Sequence, residues 1–209
     1  MGTHHFHNEK LTYSGDNLLD SQGNEVMMSW EDTIMEVGAK DICVNGGDIL
    51  NVGFGLGLID THIQSHNPKT HWIIESHPDV QKKIINDGWL KKPNVRVIFK
   101  RWQDVIYNLP KFDGIYWDTW GESQGGFDSN IINMLKPNGV YSFFNNPENP
   151  TQDIEPISNN ILKEFCDITT TPLDISNVLP EADEFNRTYW KPDNKTYWSP
   201  SCKLKKNNR

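Results

Sequence analysis

The stretch Asp48-Ile-Leu-Asn-Val-Gly-Phe-Gly-Leu-Gly57 is an apolar segment that runs directly into three glycines at alternate positions. A second apolar segment, His71-Trp-Ile-Ile-Glu75, ends in a carboxylate 20 residues after Gly55. Glycines in such a turn let the backbone approach a ligand closely, and a carboxylate at the end of the next strand can bind ribose hydroxyl groups. The pattern therefore predicts a nucleoside-type cofactor at the head of a parallel sheet.

The remainder of the chain continues the alternation of strand and helix that this stretch begins. After an entry helix at 27–39, strands are predicted at 48–54, 70–76, 95–100, 112–119 and 139–145, with helices between them at 56–65, 79–87, 103–109 and 127–135. A helix at 154–165 and two segments at 169–178 and 195–204 that could pair antiparallel follow. Near-continuous apolar strands between helices are typical of a doubly wound, Rossmann-like α/β sheet covered on both faces.

The domain organisation expected from this pattern is simple. A chain of 209 residues is long enough for one well-buried core and short for two, so a single domain over residues 26–209 is predicted. The polar residues 1–25, with turn signals at 14–16 and 21–24, are expected to form an irregular arm or lid. The cluster His4-His-Phe-His7 lacks further ligands nearby, so no metal site is predicted.

Composition and charge restrict the cellular setting and the partners. The apolar runs are too short to span a bilayer, and the N-terminus lacks the pattern of a signal peptide. Cys43, Cys166 and Cys202 lie far apart without zinc spacing, which suits a reducing, cytoplasmic environment. The formal charge of −8 argues against nucleic acid as the main partner and favours cationic ligands.

The glycine spacing bears on which cofactor is bound. NAD-binding turns usually follow G-x-G-x-x-G, whereas position 58 of this chain is Leu. The same strand, turn and acid also serve S-adenosylmethionine, which has no pyrophosphate and so needs less of a helix N-terminus for anion binding. The residues alone leave open an NAD(P)-binding oxidoreductase, an S-adenosylmethionine-dependent enzyme and a non-catalytic scaffold that keeps the fold.

Six segments, in order along the chain, carry a more specific resemblance. They are Val26-Met-Met-Ser-Trp-Glu-Asp-Thr-Ile-Met35, Asn51-Val-Gly-Phe-Gly55, His71-Trp-Ile-Ile-Glu75, Arg101-Trp-Gln-Asp104, Phe112-Asp-Gly-Ile-Tyr-Trp-Asp-Thr119 and Leu135-Lys-Pro-Asn-Gly-Val140. Together they resemble the guanidinoacetate N-methyltransferase and arginine delta-N-methyltransferase family of class I S-adenosylmethionine-dependent methyltransferases. The resemblance implies a seven-stranded sheet that ends in an antiparallel hairpin, and S-adenosyl-L-methionine as cofactor, with S-adenosyl-L-homocysteine as product.

The resemblance also implies roles for individual residues at the cofactor. Glu75 would hold the ribose, and the turn formed by Phe54, Gly55, Leu56 and Gly57 would lie along the methionine part. The adenine would be bordered by Trp102 and Gln103, and the cofactor would be covered by Met27 and Met35.

One residue departs from the family pattern. Where the family usually has Glu before Val-Gly, this chain has Asn51. An amide can still hydrogen-bond the ammonium group of the cofactor, but an interaction without a formal charge is expected to be weaker.

The acceptor chemistry that the resemblance implies requires carboxylates. A guanidinium has no lone pair to spare, and its pKa of about 12.5 makes deprotonation at pH 7 cost on the order of 7 kcal/mol. Carboxylate oxygens match the N–H fork of a guanidinium and can accept its proton. Asp118 ends the fourth predicted strand at the ligand-binding edge of the sheet, and Glu31 lies in the helix that the family folds over this site. We expect Asp118 to be the general base and Glu31 the second clamp.

The segment after the fifth predicted strand bears on the choice of acceptor. In the small-molecule enzymes that the chain resembles, backbone amides at this place hold the substrate carboxylate. Here Pro147 has no N–H to donate, and Glu148 would repel a carboxylate. The acceptor is therefore expected to be a small guanidino compound or an arginine-containing protein, without a nucleic-acid or membrane partner. The sequence does not determine the oligomeric state.

Overall fold

The computed structural model describes residues 9–122, 124–146, 154, 156–180, 190 and 193–205. Three short strands come first: β1 (Thr12–Ser14), β2 (Asn17–Leu19) and β3 (Glu25–Met27). The strands of the main sheet are β4 (Asp48–Val52), β5 (Thr70–Ile74), β6 (Val95–Ile98), β7 (Phe112–Trp117), β8 (Leu135–Phe143), β9 (Cys166–Asp174) and β10 (Thr196–Leu204). The helices are α1 (Asp32–Ile42), α2 (Leu58–Ser65), α3 (Pro78–Asn86), α4 (Gln124–Asp128), α5 (Ile131–Met134) and α6 (Pro156–Leu162).

The main sheet has seven strands in the order β6-β5-β4-β7-β8-β10-β9. Strands β4 to β8 are parallel to one another, whereas β10 pairs antiparallel with both β8 and β9. The predicted doubly wound sheet with a C-terminal antiparallel hairpin is therefore confirmed. The strand order changes direction at β4, whose two neighbours are β5 and β7. A crevice for a ligand is expected at such a point, beyond the carboxyl ends of the strands.

Successive residues of β4 show why both faces of the sheet are covered. Ile49 packs with α1, α2 and α3 on one face, and Leu50 packs with α4, α5 and α6 on the other. Side chains alternate between the two faces of a strand, so a strand buried on both faces must be apolar at nearly every position. The near-continuous apolar runs that predicted the sheet are the consequence.

The N-terminal segment differs from its prediction. Residues 12–25, expected to be irregular, form an antiparallel three-stranded sheet together with Val26 and Met27, in the order β1-β2-β3. The predicted turns are present, since Gly15 and Gly23 have positive φ angles of 58° and 80°. The carboxylate of Asp20 accepts hydrogen bonds of 2.8 Å from the N–H groups of Gln22 and Asn24. The turn residues therefore connect short strands. The polar composition of this segment gave no indication that these strands pair.

Two helix predictions were also inexact. The entry helix begins at Asp32 and not near residue 27, since Ser29–Glu31 form a 3-10 turn and Met27 ends β3. The Glu31 carboxylate accepts a hydrogen bond of 2.6 Å from the N–H of Met28, which stabilises this entry. The helix predicted at 127–135 is divided into α4 and α5, and the one at 103–109 is replaced by two 3-10 turns, Trp102–Asp104 and Ile106–Asn108.

Two further sequence predictions concern cysteines and the membrane. Cys43, Cys166 and Cys202 are buried free thiols, as expected from their spacing. Within the described part of the chain, every helix is too short or too polar to cross a lipid bilayer.

Gly114 provides a test of the close packing between β7 and α1. A Cβ at this position would overlap the carbonyl oxygen of Ile42, at the end of α1. Because backbone cannot yield as a side chain can, Gly114→Ala should lower the free energy of unfolding by roughly 2–3 kcal/mol in urea denaturation. Gly126→Ala is the matched control, since its Cβ would lie 3.6 Å from Trp102, at an ordinary contact distance. Equal stability of the two variants would contradict this packing argument.

Candidate functional site

The glycine turn after β4 is shaped by two close approaches. A Cβ at Gly53 would overlap the carbonyl oxygen of Asp118, and one at Gly55 would overlap the sulfur of Met27. Both glycines have positive φ angles, 92° and 53°. The turn is therefore compressed between the end of β7 and the end of β3, which only glycine permits.

Glu75 fastens this turn from the neighbouring strand. Its Oε2 accepts a hydrogen bond of 3.0 Å from the N–H of Phe54, and its Oε1 accepts one of 2.6 Å from the N–H of His77. Burial raises the pKa of Glu75, although these backbone donors act in the opposite direction. The N–H of Ser76 is a third backbone donor to this carboxylate. A remaining lone pair can still accept a hydroxyl group from a ribose.

Trp102 forms the opposite wall of the same cavity. Its ring packs edge-on against Trp117 at 5.7 Å and Phe127 at 5.4 Å between ring centroids. Its indole N–H donates to the carboxylate of Glu122, which also accepts a 3.1 Å hydrogen bond from Nε2 of Gln103. Glu122 thus fixes both residues expected beside the adenine. Sequence analysis missed Glu122, because its loop position, three residues after the Asp-Thr pair, carries no motif of its own.

The first of two adjoining cavities is the nucleoside cavity. It lies between this turn, Glu75, Trp102 and the N-terminal sheet, and its wall includes Leu11, Leu18 and Met27. Thr119 also lines it, and its buried hydroxyl has no hydrogen-bond partner among the described residues. An apolar cover, a buried carboxylate, an aromatic wall and an unpaired hydroxyl suit a nucleoside cofactor.

The second, the acceptor cavity, shares a wall with the nucleoside cavity. Asp118, Thr119 and Glu122 line both, whereas Glu31 lines the acceptor cavity alone. The rim also includes aromatic residues from β7 and the segment after β8, namely Trp117, Trp120 and Phe144. The two carboxylates predicted from sequence are therefore brought to one cavity by elements that are far apart in the chain.

Asp118 has an unusual environment for a carboxyl group. Burial, with a smaller contribution from the negative charge of Asp60, raises the pKa of Asp118 to about 7. Such a group is half protonated at neutral pH, which suits a side chain that accepts a proton.

Two buried tyrosines support this region from below. The hydroxyl of Tyr197 accepts a 2.9 Å hydrogen bond from the N–H of Asn145 and donates one of 3.2 Å to the carbonyl of Phe143. It also bonds the hydroxyl of Tyr116. Burial, and next the neighbouring hydroxyl and the negative charges of Asp118 and Glu31, raise the pKa of Tyr116. The pair joins β7, β8 and β10 beneath the acceptor cavity.

The residues predicted for the cofactor fall into two groups. Met27, Gly55, Glu75 and Trp102 line the nucleoside cavity. The others do not line this cavity. Phe54 packs edge-on against Trp89, Leu56 faces an outer groove, and Gly57 caps α2. Gln103 binds Glu122, and Met35 is fully buried in the core. Met35 is the clearest difference from expectation, because α1 turns that residue toward the sheet.

Asn51 lies behind the glycine turn and lines neither cavity. A hydrogen bond from its amide to the cofactor stays a prediction. Its Nδ2 donates to the carbonyl of Gly53 at 2.6 Å and to Oδ2 of Asp60 at 2.9 Å.

Some predicted features cannot be placed. Pro147, Glu148 and the cluster from His4 to His7 lie outside the described residues. Within the described ranges, His, Cys, Asp and Glu side chains form no group of three or more that could hold a metal ion.

Known proteins similar in sequence share this site-bearing region. The family described as guanidinoacetate N-methyltransferase matches residues 3–146. The chain is 46% identical over 153 residues to protein arginine N-methyltransferase 2 of Yarrowia lipolytica, which covers 66% of this chain and 32% of that protein. It is 36% identical over 206 residues to the protein of the same name from Candida glabrata, covering 88% and 49%. The chain thus spans about a third to a half of the length of these relatives.

Solved structures share the fold at low sequence identity. Spermidine synthase from Thermotoga maritima matches with a TM-score of 0.64 and 13% identity, covering 93% of this chain and 72% of that one. M. jannaschii TYW2, solved in complex with AdoMet, matches with a TM-score of 0.56 and 15% identity, covering 94% and 85%. These likenesses show the architecture alone.

The raised pKa of Asp118 predicts a pH-dependent cost to stability. The unfolded chain ionises Asp near pH 4 and the folded chain near pH 7, so the folded state binds more protons and stability falls as pH rises between these values. As the pH rises from 5 to 8, the free energy of unfolding of Asp118→Asn should therefore increase relative to that of the unsubstituted chain by on the order of 2 kcal/mol, measured by urea denaturation.

Asp174→Asn is the control for this measurement. Hydrogen bonds from Ser176 lower the pKa of the exposed Asp174, so its stabilisation is present at neutral pH and is lost on acidification. The difference between this variant and the unsubstituted chain should change with pH in the opposite direction. The same pH slope for both variants would show that Asp118 does not titrate as described.

Proposed function

This chain belongs to the guanidinoacetate N-methyltransferase family, and from that premise we propose that it transfers a methyl group from S-adenosylmethionine to a nitrogen of a guanidino group. The observation that carries the proposal is the position of Asp118 on the wall common to both cavities, with Glu31 as a second buried carboxylate on the acceptor side. A protein that served only as a scaffold would gain little from burying two carboxylates at one cavity. Family membership also favours methyl transfer over the NAD(P)-dependent alternative.

The residues of the nucleoside cavity fit this cofactor. Glu75 provides acceptors for the ribose hydroxyls, and Trp102, held by Glu122, provides a flat wall for the adenine. Gly55 has no side chain, which allows the turn to pass directly beneath the sulfur of Met27 at the wall of this cavity. When bound, the cofactor supplies a methyl group on a positively charged sulfur.

The two carboxylates perform the work that the acceptor requires. Glu31 and Asp118 would hold the N–H fork of the guanidinium and so orient one nitrogen toward the nucleoside cavity. Two negative charges stabilise the cation and oppose its early deprotonation. The proton would therefore pass to a carboxylate oxygen of Asp118 as the C–N bond forms and the methyl C–S bond breaks, with the electron pair of that bond left on the sulfur. Positioning of this kind can provide roughly 7–11 kcal/mol of the barrier reduction.

The charges around the acceptor cavity favour one class of guanidino compound. Its described lining residues include the carboxylates of Glu31, Asp118 and Glu122, and none of those residues is Lys, Arg or His. A carboxylate close to the guanidino group, as in guanidinoacetate, would meet repulsion there. We therefore favour an arginine side chain within a polypeptide, in which the nearest carboxyl group has become an amide. The names of the fungal relatives are consistent with this choice.

A transfer assay with labelled S-adenosylmethionine tests the proposal. Arginine-containing peptides should be methylated at least tenfold faster than guanidinoacetate, and Asp118→Asn should lower turnover at least a hundredfold while S-adenosylhomocysteine still binds. Asp32→Asn, next to Glu31 in sequence but paired with His62 at the surface, is the control and should stay active. Bound cofactor without transfer to any guanidino acceptor would refute the proposed reaction.

The pH dependence of the reaction gives a separate test of the base. The value of kcat/KM reports the free enzyme, in which the pKa of Asp118 is about 7, so kcat/KM should fall tenfold per pH unit below pH 7. Two bound cations favour the ionised carboxylate, so the acid limb of kcat should lie at lower pH. Glu31→Gln should slow the enzyme and keep an acid limb. An acid limb at the same pH in both parameters would argue against Asp118 as base.

A further inference from the structure

A buried polar network lies directly behind the glycine turn. Asn51, Asp60 and His71 are all fully buried, on β4, α2 and β5 respectively. His71 Nε2 lies 2.9 Å from Oδ1 of Asp60, and Asn51 Nδ2 lies 2.9 Å from its Oδ2. The other His71 nitrogen, Nδ1, lies 2.9 Å from Nε2 of Gln64.

Both carboxylate oxygens of Asp60 lie beside nitrogen atoms of buried side chains. The carbonyl of Gly53 can only accept, so the amide nitrogen of Asn51 faces it and also faces Asp60. Nε2 of His71 lies near the other carboxylate oxygen of Asp60. Burial raises the pKa of Asp60, whereas its contacts with His71 and Asn51 act in the opposite direction. Nitrogen atoms beside both oxygens thus favour the negatively charged form of Asp60.

That charge lies within reach of the nucleoside cavity although Asp60 does not line it. Asn51 donates to Asp60 and to Gly53, and Gly53 is part of the cavity wall. The charge also acts on the cavity carboxylates, since after burial it is a cause of the raised pKa values of Glu75 and Asp118. Oδ1 of Asn51 is buried without a hydrogen-bond partner among the described residues.

We propose that Asp60 is a positioning residue for the cofactor: through Asn51 it orients the Gly53 carbonyl and places a negative charge behind it, and together these bind the ammonium group of S-adenosylmethionine. The inference rests on the proposed function. It also explains how the site can lack a charge at Asn51. The carboxylate that is usual at position 51 is replaced by that of Asp60, nine residues later, in the first turn of α2. The Gly53 carbonyl keeps a second lone pair for a donor from the cavity.

The test compares two ligands that share the nucleoside and differ in the ammonium group. S-adenosylhomocysteine carries it, whereas methylthioadenosine lacks the amino-acid part. By isothermal titration calorimetry at pH 7.5, Asp60→Asn should weaken S-adenosylhomocysteine roughly tenfold and methylthioadenosine less than twofold. Asp32→Asn is the matched control, because it makes the same change in an exposed Asp–His pair with the same 2.9 Å separation. It should alter neither affinity.

A second variant covers the case in which Asp60→Asn does not fold. Asn51→Asp combined with Asp60→Asn keeps one acid and one amide in the same hydrogen-bonded pair, so the charge is retained. This double variant should bind both ligands with the ratio of affinities of the unsubstituted chain. A folded double variant that selectively loses S-adenosylhomocysteine would contradict the inference.

The outcomes separate this inference from the function on which it rests. If the unsubstituted chain binds neither ligand, the cofactor assignment is wrong and the role of Asp60 falls with it. If it binds both, and Asp60→Asn weakens both equally, Asp60 is only structural and the inference is overturned while the proposed function stands. Selective loss of S-adenosylhomocysteine supports it.

Discussion

The close approach of Gly53 to the carbonyl oxygen of Asp118 is the constraint on which the site depends. Strands β4 and β7 are parallel neighbours, and at their carboxyl ends the two chains remain so close that any side chain at position 53 would overlap backbone. The N–H of Asp118 donates to the carbonyl of Val52 at 2.9 Å, which maintains the approach. The turn that borders the nucleoside cavity and the Asp118 carboxylate that lines both cavities are thereby held in fixed relation.

A second property follows from this compact arrangement, namely a concentration of buried negative charge. Asp60, Glu75 and Asp118 all have raised pKa values, with burial as the main cause. Burying them costs folding free energy in the absence of a cation. The sulfonium and ammonium groups of the cofactor, and a guanidinium, would offset that cost on binding. The site is therefore matched electrostatically to the ligands proposed for it and opposed to anionic ones.

The surrounding residues restrict how these groups can move. Glu122 links the wall around Trp102 to the acceptor cavity, and it lines both cavities together with Asp118. Tyr116 and Tyr197 join three strands beneath Asp118, and the N-terminal sheet covers the opening through Leu11 and Met27. That this sheet opens and closes as a lid remains a prediction.

Much of the molecule could be read from the sequence because the information was local. Apolar runs of strand length and the glycines at the turn predicted the sheet. Glu75 and Asp118 were expected at one edge of it, because parallel strands bring their carboxyl ends to the same edge. Only the tertiary structure decided which way side chains turn and with whom they pair. It directed Met35 into the core, joined Glu122 to Trp102, paired the N-terminal strands and placed Asp60 behind Asn51. These outcomes depend on how side chains and short strands meet in three dimensions, which the order of residues along the chain does not specify.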